Sequence, residues 1–279
     1  MQEPELNGTN LAAEALGTSD QRVVIRIPTR HNPILQQIID RVNADEELYA
    51  LWTAMNVNAV MRLGMSDHGP VHFQIVSNIA LKLLRQLVES GVIPSIVRDH
   101  KMTNNDAEVV VVLGALLHDL GISIHRIDHE QYSLFVAQPK IDDLLEGLYS
   151  VAARTIIRSE TLHAIIAHRS DGKPLTVEAG VVRVADALDM TKGRSRIPFE
   201  AGQVNIHSLS AAAIERIEIT KGQDKPIHIT VAMSNSAGIF QLDDLLKEKL
   251  YGSGLEKFVE VEATIEGETE KKLVTVFRL

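Results

Sequence analysis

The chain of 279 residues contains no cysteine. Disulfides and thiolate zinc sites are therefore excluded, and any bound metal must be held by imidazole and carboxylate groups. It also lacks an uninterrupted apolar run of membrane-spanning length, and Met1 to Asp20 is polar, without the apolar segment of a signal peptide. Net positive charge is missing as well. The formal charge is −9 and the pI about 5.7, which argues against broad binding of nucleic acid or anionic membrane and leaves only local basic patches. No internal repeat or low-complexity tract is evident. A soluble, cytoplasmic protein is expected.

What is present is a chain 45% hydrophobic, enough for one large domain and a small one. Residues 1–29 read as an N-terminal arm carrying a short strand, Val23 to Ile27, stopped by Pro28. Residues 30–202 carry helical periodicity. Ile34, Leu35, Ile38 and Ile39 make one apolar face, and a second helix opens at Asp45 or Glu46. Ser66 to Pro70 breaks the pattern, with His68 read as a cap or surface residue. The next helix carries His72, Ile75, Val76, Ile79, Leu83 and Leu87 on one stripe. Further helices are expected from Asp128 to about Ala137, ended by Pro139, then over Ile141–Tyr149, over Val151–His168, and from Thr176 through Asp186. Beyond residue 203 the period changes to two, interrupted by one amphipathic helix, Ile239 to Leu250. Residues 203–279 thus read as a separate ββαββ unit, a small α+β domain whose strand edges make self-association, as a homo-oligomer, plausible.

The most telling stretch is Leu113-Gly114-Ala115-Leu116-Leu117-His118-Asp119-Leu120-Gly121. An apolar run from Val109 reads as a buried helix that ends in two polar residues, with Gly121 available to close it in the left-handed conformation. A buried carboxylate beside an imidazole needs a positive neutraliser, and a divalent metal serves well. His72 and Asp186 lie on inward faces of other helices. Two imidazoles and two carboxylates suit a first-row divalent ion (manganese, iron, nickel or zinc), and magnesium is also admissible. Asp189 shares the face of Asp186, and Arg183, one turn earlier, is a candidate partner for that carboxylate.

The order His72, His118-Asp119, Asp186 resembles the HD superfamily of metal-dependent phosphohydrolases. The resemblance runs from about Asn56 to Arg196. Leu116 to Gly121 is similar to its signature, and Val184-Ala185-Asp186-Ala187-Leu188-Asp189 to its final motif. It implies a mainly α fold, an HD-domain helical bundle, and hydrolysis of a phosphoester, most simply of a nucleotide. By the same resemblance His72, His118, Asp119 and Asp186 would hold one ion. His129-Glu130 is similar to the His-Glu element of deoxynucleotide triphosphohydrolases, where the histidine works near the phosphates. This implies a catalytic role for His129 and Glu130, with Asp119 able to assist proton transfer. His168-Arg169-Ser170-Asp171-Gly172 resembles a segment of binuclear members, so His168 and His163 are further metal candidates. The two lie about 140° apart on a helix and cannot share one face cleanly. Arg126, Lys192, Arg194 and Arg196 form the candidate phosphate-binding set. The expected partner is a small phosphorylated substrate, with no membrane role and no strong case for nucleic acid. Two rival readings are a diiron oxygenase and a regulatory module that senses a nucleotide.

Overall fold

The structure, a computed structural model, describes residues 22–29, 31–169, 171–191, 210–266 and 276–278. Helix α1 (Pro33–Ala44) starts where Asn32 Oδ1 accepts from Leu35 N and Pro33 fits the first turn. It buries Leu35, Ile38, Ile39 and Val42. Helix α2 (Glu46–Asn56), capped by Asp45, runs into a π-type turn, Val57–Arg62. Helix α3 (Pro70–Glu89) buries Phe73, Val76, Ala80, Leu83, Leu84 and Leu87 together with His72. A short helix α4 (Ser95–His100) precedes α5 (Asn104–Leu117), which opens with a capping box between Thr103 and Asp106.

From Ala107 to Leu117 only Glu108 of α5 escapes full burial, so this is the central helix; α3, α7 (Val151–Ala167) and α8 (Val177–Ala187) pack around it. A 3-10 turn, Leu120–Ser123, joins α5 to the segment before α6 (His129–Leu145). Helix α6 runs unbroken through Pro139, where a stop was expected. The hydrogen bond that proline removes would have reached the carbonyl of Phe135, a residue 74% exposed, where water can replace the donor. Buried Lys140, Ile141, Leu144 and Leu145 anchor the half beyond it.

The expected strand Val23–Ile27 is not a strand. Amide side chains of the helices take the place of a neighbouring strand: Ile25 N donates to Asn43 Oδ1 (2.8 Å), Asn43 Nδ2 to Ile25 O (3.0 Å), and Arg26 N to Gln74 Oε1 (2.8 Å). Gly121 is not left-handed either. A Cβ there would lie 2.0 Å from His129 O and 2.5 Å from Ser133 N, so glycine is required for close approach of α6 to the end of α5.

The C-terminal part is a four-stranded sheet of order β1 (Ile214–Lys221), β2 (Ile227–Met233), β3 (Val259–Ile265), β4 (Val276–Arg278). Strands β1/β2 and β3/β4 are antiparallel; β2 and β3 are parallel, from Ile227 opposite Val259 to Met233 opposite Ile265. A parallel pair needs a crossover. It is α9, an irregular helical stretch made of Ile239–Gln241, a π-type turn Leu242–Lys247 and Glu248–Leu250. This is the expected ββαββ order. The buried sheet residues are continuous with the helical core, and α9 docks on α8. The expected boundary near 202–203 and the candidate turn at Gly267 lie outside the described residues.

Candidate metal centre

Five helix ends meet at one point. His72 is in the first turn of α3, His118 and Asp119 follow the last residue of α5, His129 opens α6, His168 closes α7 and Asp186 lies in the last turn of α8. Ser133 fixes two of these ends: its Oγ donates to His118 O (2.6 Å) and accepts from Gly121 N (2.8 Å). Three groups of possible ligand atoms, each within 4.8 Å of one another, overlap here: His72, His118 and Asp119; His118, His168 and Asp186; Asp119, His129 and His168.

The imidazole protons can be assigned from their partners. His72 Nδ1 lies 2.6 Å from Asp189 Oδ2, His118 Nδ1 2.9 Å from Ala115 O, and His168 Nδ1 2.6 Å from Ile165 O. A carbonyl or carboxylate oxygen cannot donate, so each Nδ1 carries a proton, and in the neutral ring that metal binding requires each Nε2 presents a lone pair to the centre. His72 Nε2 and His118 Nε2 are 3.4 Å apart. Two lone pairs facing each other in a buried site repel unless a cation or a proton lies between them. Asp186 Oδ1 lies 3.7 Å from the first nitrogen and 3.5 Å from the second, and Asp119 Oδ2 lies 3.9 and 3.4 Å from them. This donor set fits a divalent ion, and Asp189 supplies the outer carboxylate that metal-binding histidines commonly use.

The other oxygen of Asp119 faces different neighbours. His129 Nε2 is 3.0 Å and His168 Nε2 3.6 Å from Asp119 Oδ1. His129 Nδ1 meets Arg126 Nη1 at 2.6 Å, with Glu130 Oε2 at 3.2 Å. A guanidinium has no lone pair to offer, so Nδ1 accepts and Nε2 donates its proton to Asp119.

Electrostatics agree with an anionic, cation-seeking site. Burial would raise the Asp119 carboxyl, but the His118 charge and the bond from His129 hold it well below the usual range. Burial acts likewise on Asp186, where Lys249 and His118 outweigh it, again to well below that range. For His118, burial pushes down, and the charges of Asp119 and Asp186 more than reverse it, so its pKa is raised. For His168 burial prevails and the pKa falls to about 4.

His72, His118, Asp119, Asp186, His129 and His168 are thus brought together, and Arg126 and Glu130 reach the cluster through His129. His163 is not: its Nε2 accepts from Leu175 N (2.9 Å), beyond the far end of that turn. Lys192, Arg194 and Arg196 lie outside the described residues. Arg183 reaches the carbonyls of Arg169, Gly172, Glu248 and Lys249, and the cation beside Asp186 is Lys249 (3.4 Å). Three contributors were not read from the sequence. Asp189 meets His72, a contact for which its place on the face of Asp186 is the available signal. His68 is buried, its Nδ1 donates to Ser66 O (2.7 Å), and its Nε2 stands 4.0 Å from Asp119 Oδ2. Lys249 comes from α9, where nothing in the sequence pointed to a site.

The HD domain profile matches residues 72–191, which begin at the first of these histidines and take in Asp186. Uncharacterized protein MJ1020 of Methanocaldococcus jannaschii is 43% identical over 235 residues, spanning 84% of this chain and 91% of its own.

Proposed function

The chain belongs to the HD-domain superfamily of metal-dependent phosphohydrolases, and from that membership we propose that it hydrolyses a phosphoester of a small molecule, in our reading a nucleotide. The observation that carries the proposal is the convergence of three buried Nε2 lone pairs, on His72, His118 and His168, with the carboxylates of Asp119 and Asp186. His72, His118, Asp119 and Asp186 would hold one divalent ion, with His168 beside them. Such an ion acts as a Lewis acid toward a phosphoryl oxygen and activates water at neutral pH.

The remaining work falls to the chain itself. His129, protonated at Nε2 and backed by Arg126, holds a proton at the edge of the site, where it can bond a phosphate oxygen or move the proton in turnover. Glu130 stands on the far side of that ring, its Oε2 3.2 Å from Nδ1. His68 offers a second ring nitrogen within reach of Asp119. Arg126 supplies positive charge that an anionic substrate requires in an acidic protein.

One observation favours a second reading, with two ions. Asp119 turns its oxygens to two histidine pairs, as a bridging carboxylate does. That reading needs His129 Nδ1 to donate to Arg126 O, 3.1 Å away, which would free Nε2. The test is metal analysis of the full chain, then a screen of the loaded protein against nucleoside mono-, di- and triphosphates and cyclic nucleotides. Turnover of one class supports the proposal. Tight nucleotide binding without turnover would favour the regulatory reading, and oxygen consumption by an iron-loaded form the oxygenase reading.

A further inference from the structure

The C-terminal unit reaches the metal centre through Lys249. Lys249 Nζ lies 3.4 Å from Asp186 Oδ2 and donates to His168 O. The backbone that carries it is fixed from below. Arg183, a buried residue of α8, donates from Nε to Lys249 O (2.9 Å) and from Nη2 to Glu248 O (3.1 Å), and from Nη1 to Arg169 O (2.7 Å) in the loop after His168. One guanidinium therefore joins the Asp186 helix, the His168 loop and the Lys249 helix. A second device brings α9 close: a Cβ on Gly180 would stand 2.3 Å from Ser253 O, so only glycine allows that contact.

Exposure shows where a ligand enters. The side chains of His72, His118 and Asp119 are 1%, 0% and 6% exposed, whereas Asp186 is 18% and Lys249 13% exposed. Solvent thus reaches the cluster on the side on which Lys249 stands, as it also does at Arg126 and Glu130. Without an ion, its ammonium neutralises Asp186. With an ion bound, that carboxylate has a stronger partner, and the ammonium remains at the entrance with hydrogen-bonding capacity to offer.

We infer that Lys249 is a phosphate-binding residue delivered to the HD site by the C-terminal unit, so that the helical part alone holds an incomplete substrate site. The inference rests on the phosphohydrolase reading. Arg126 stands behind His129, on its outer nitrogen, whereas the Lys249 ammonium lies beside the ligand Asp186, so among the described residues Lys249 is the cation placed to meet a phosphate at the centre. The α9 sequence Asp243-Asp244-Leu245-Leu246-Lys247-Glu248-Lys249 looks like an ordinary amphipathic face. Only the tertiary contact to Arg183 separates Lys249 from Lys247, which pairs with Asp243 on the surface.

Inorganic phosphate is the probe, titrated calorimetrically into the metal-loaded full chain. Wild type should bind it, and Lys249→Met should bind it about 10- to 100-fold more weakly with metal stoichiometry unchanged, the usual loss for one charged hydrogen bond. Lys249→Arg should recover most of the affinity. Equal affinity in wild type and Lys249→Met overturns the role of Lys249 and leaves the phosphohydrolase reading standing. A loaded wild type that binds no phosphate removes both. If Lys249→Met does not fold, wild type still decides: phosphate should slow acylation of the Lys249 amine, read by peptide mass spectrometry, and unchanged labelling overturns the inference.

Discussion

The two oxygens of Asp119 face two differently built surroundings. On the Oδ2 side stand His72 and His118, whose outer nitrogens donate to acceptors that can give nothing back, Asp189 and Ala115 O. Their inner nitrogens are left as lone pairs. On the Oδ1 side His129 has an arginine on its outer nitrogen, so its inner nitrogen keeps a proton. His168 stands between the two and belongs by tautomer to the first kind. The first side is built to receive a cation and the second to hold a proton. An imidazole's function at such a site is thus decided by the group behind it as much as by what it faces.

The largest expected effect comes from removing the residue common to both sides. Asp119→Ala should abolish metal retention and turnover together, read by metal analysis after gel filtration. Retention of a full metal equivalent would mean that Asp119 is not a ligand. Next comes His129→Ala, which breaks or keeps the comparison most directly. Turnover should fall by about 100- to 10,000-fold, the range for a lost proton-transfer group, while the metal content stays as in wild type. Loss of one of two metal equivalents would show both sides of Asp119 to be metal-binding.

The sequence exposed the Oδ2 side because its residues break a rule visible in one dimension. His72, His118, Asp119 and Asp186 are polar groups on otherwise apolar helix faces, and such a group needs a partner wherever the helix packs. The ββαββ order was readable for the same reason, from a change of period. What lay hidden depended on contacts between distant segments. His68 reads as a cap because it adjoins Gly69-Pro70, yet it is buried, and its backbone is held by distant Asn56, whose Oδ1 accepts from His68 N (3.0 Å). Val23 to Ile27 has strand composition, but the groups that satisfy its backbone are side chains of α1, α2 and α3. Gly121 offers conformational freedom in the sequence, but its lack of a side chain is what the packing uses. Helix α6 continues past Pro139 because the residues beyond it are buried, which outweighs one missing hydrogen bond.

A smaller effect should follow from the group behind His72. Asp189→Ala leaves the ring but removes the carboxylate that holds its proton at Nδ1. Metal affinity should fall by about 10- to 100-fold, as outer-shell changes usually give, with full stoichiometry restored at high metal concentration. A change no larger than twofold, measured by competition with a chelator, would mean that the tautomer of His72 is set by something other than Asp189.

The smallest effect is a protonation pattern in the metal-free protein, and it places the boundary between the two sides. The His118 and His168 rings are 4.8 Å apart between centroids, yet their pKa values move in opposite directions. At His118 burial is outweighed by Asp119 and Asp186, so the ring keeps its proton above the usual histidine value; at His168 burial wins and the pKa drops to about 4. Heteronuclear NMR of the imidazoles should show His118 charged near pH 6.5 and His168 neutral until about pH 4. The consequences for stability have opposite signs. The lowered His168 contributes stability that is present above the unfolded value of about 6.5 and lost as pH falls toward 4, since the unfolded chain binds the proton first. The raised His118 contributes stability that is present below about 6.5 and lost as pH rises through its folded value. Replacing His168 by Gln should therefore flatten the acid limb of the apo-protein's stability curve and leave the neutral limb alone. If the neutral limb moves instead, the single proton of the apo site rests on His168, and that ring belongs with His129 on the proton-holding side of Asp119.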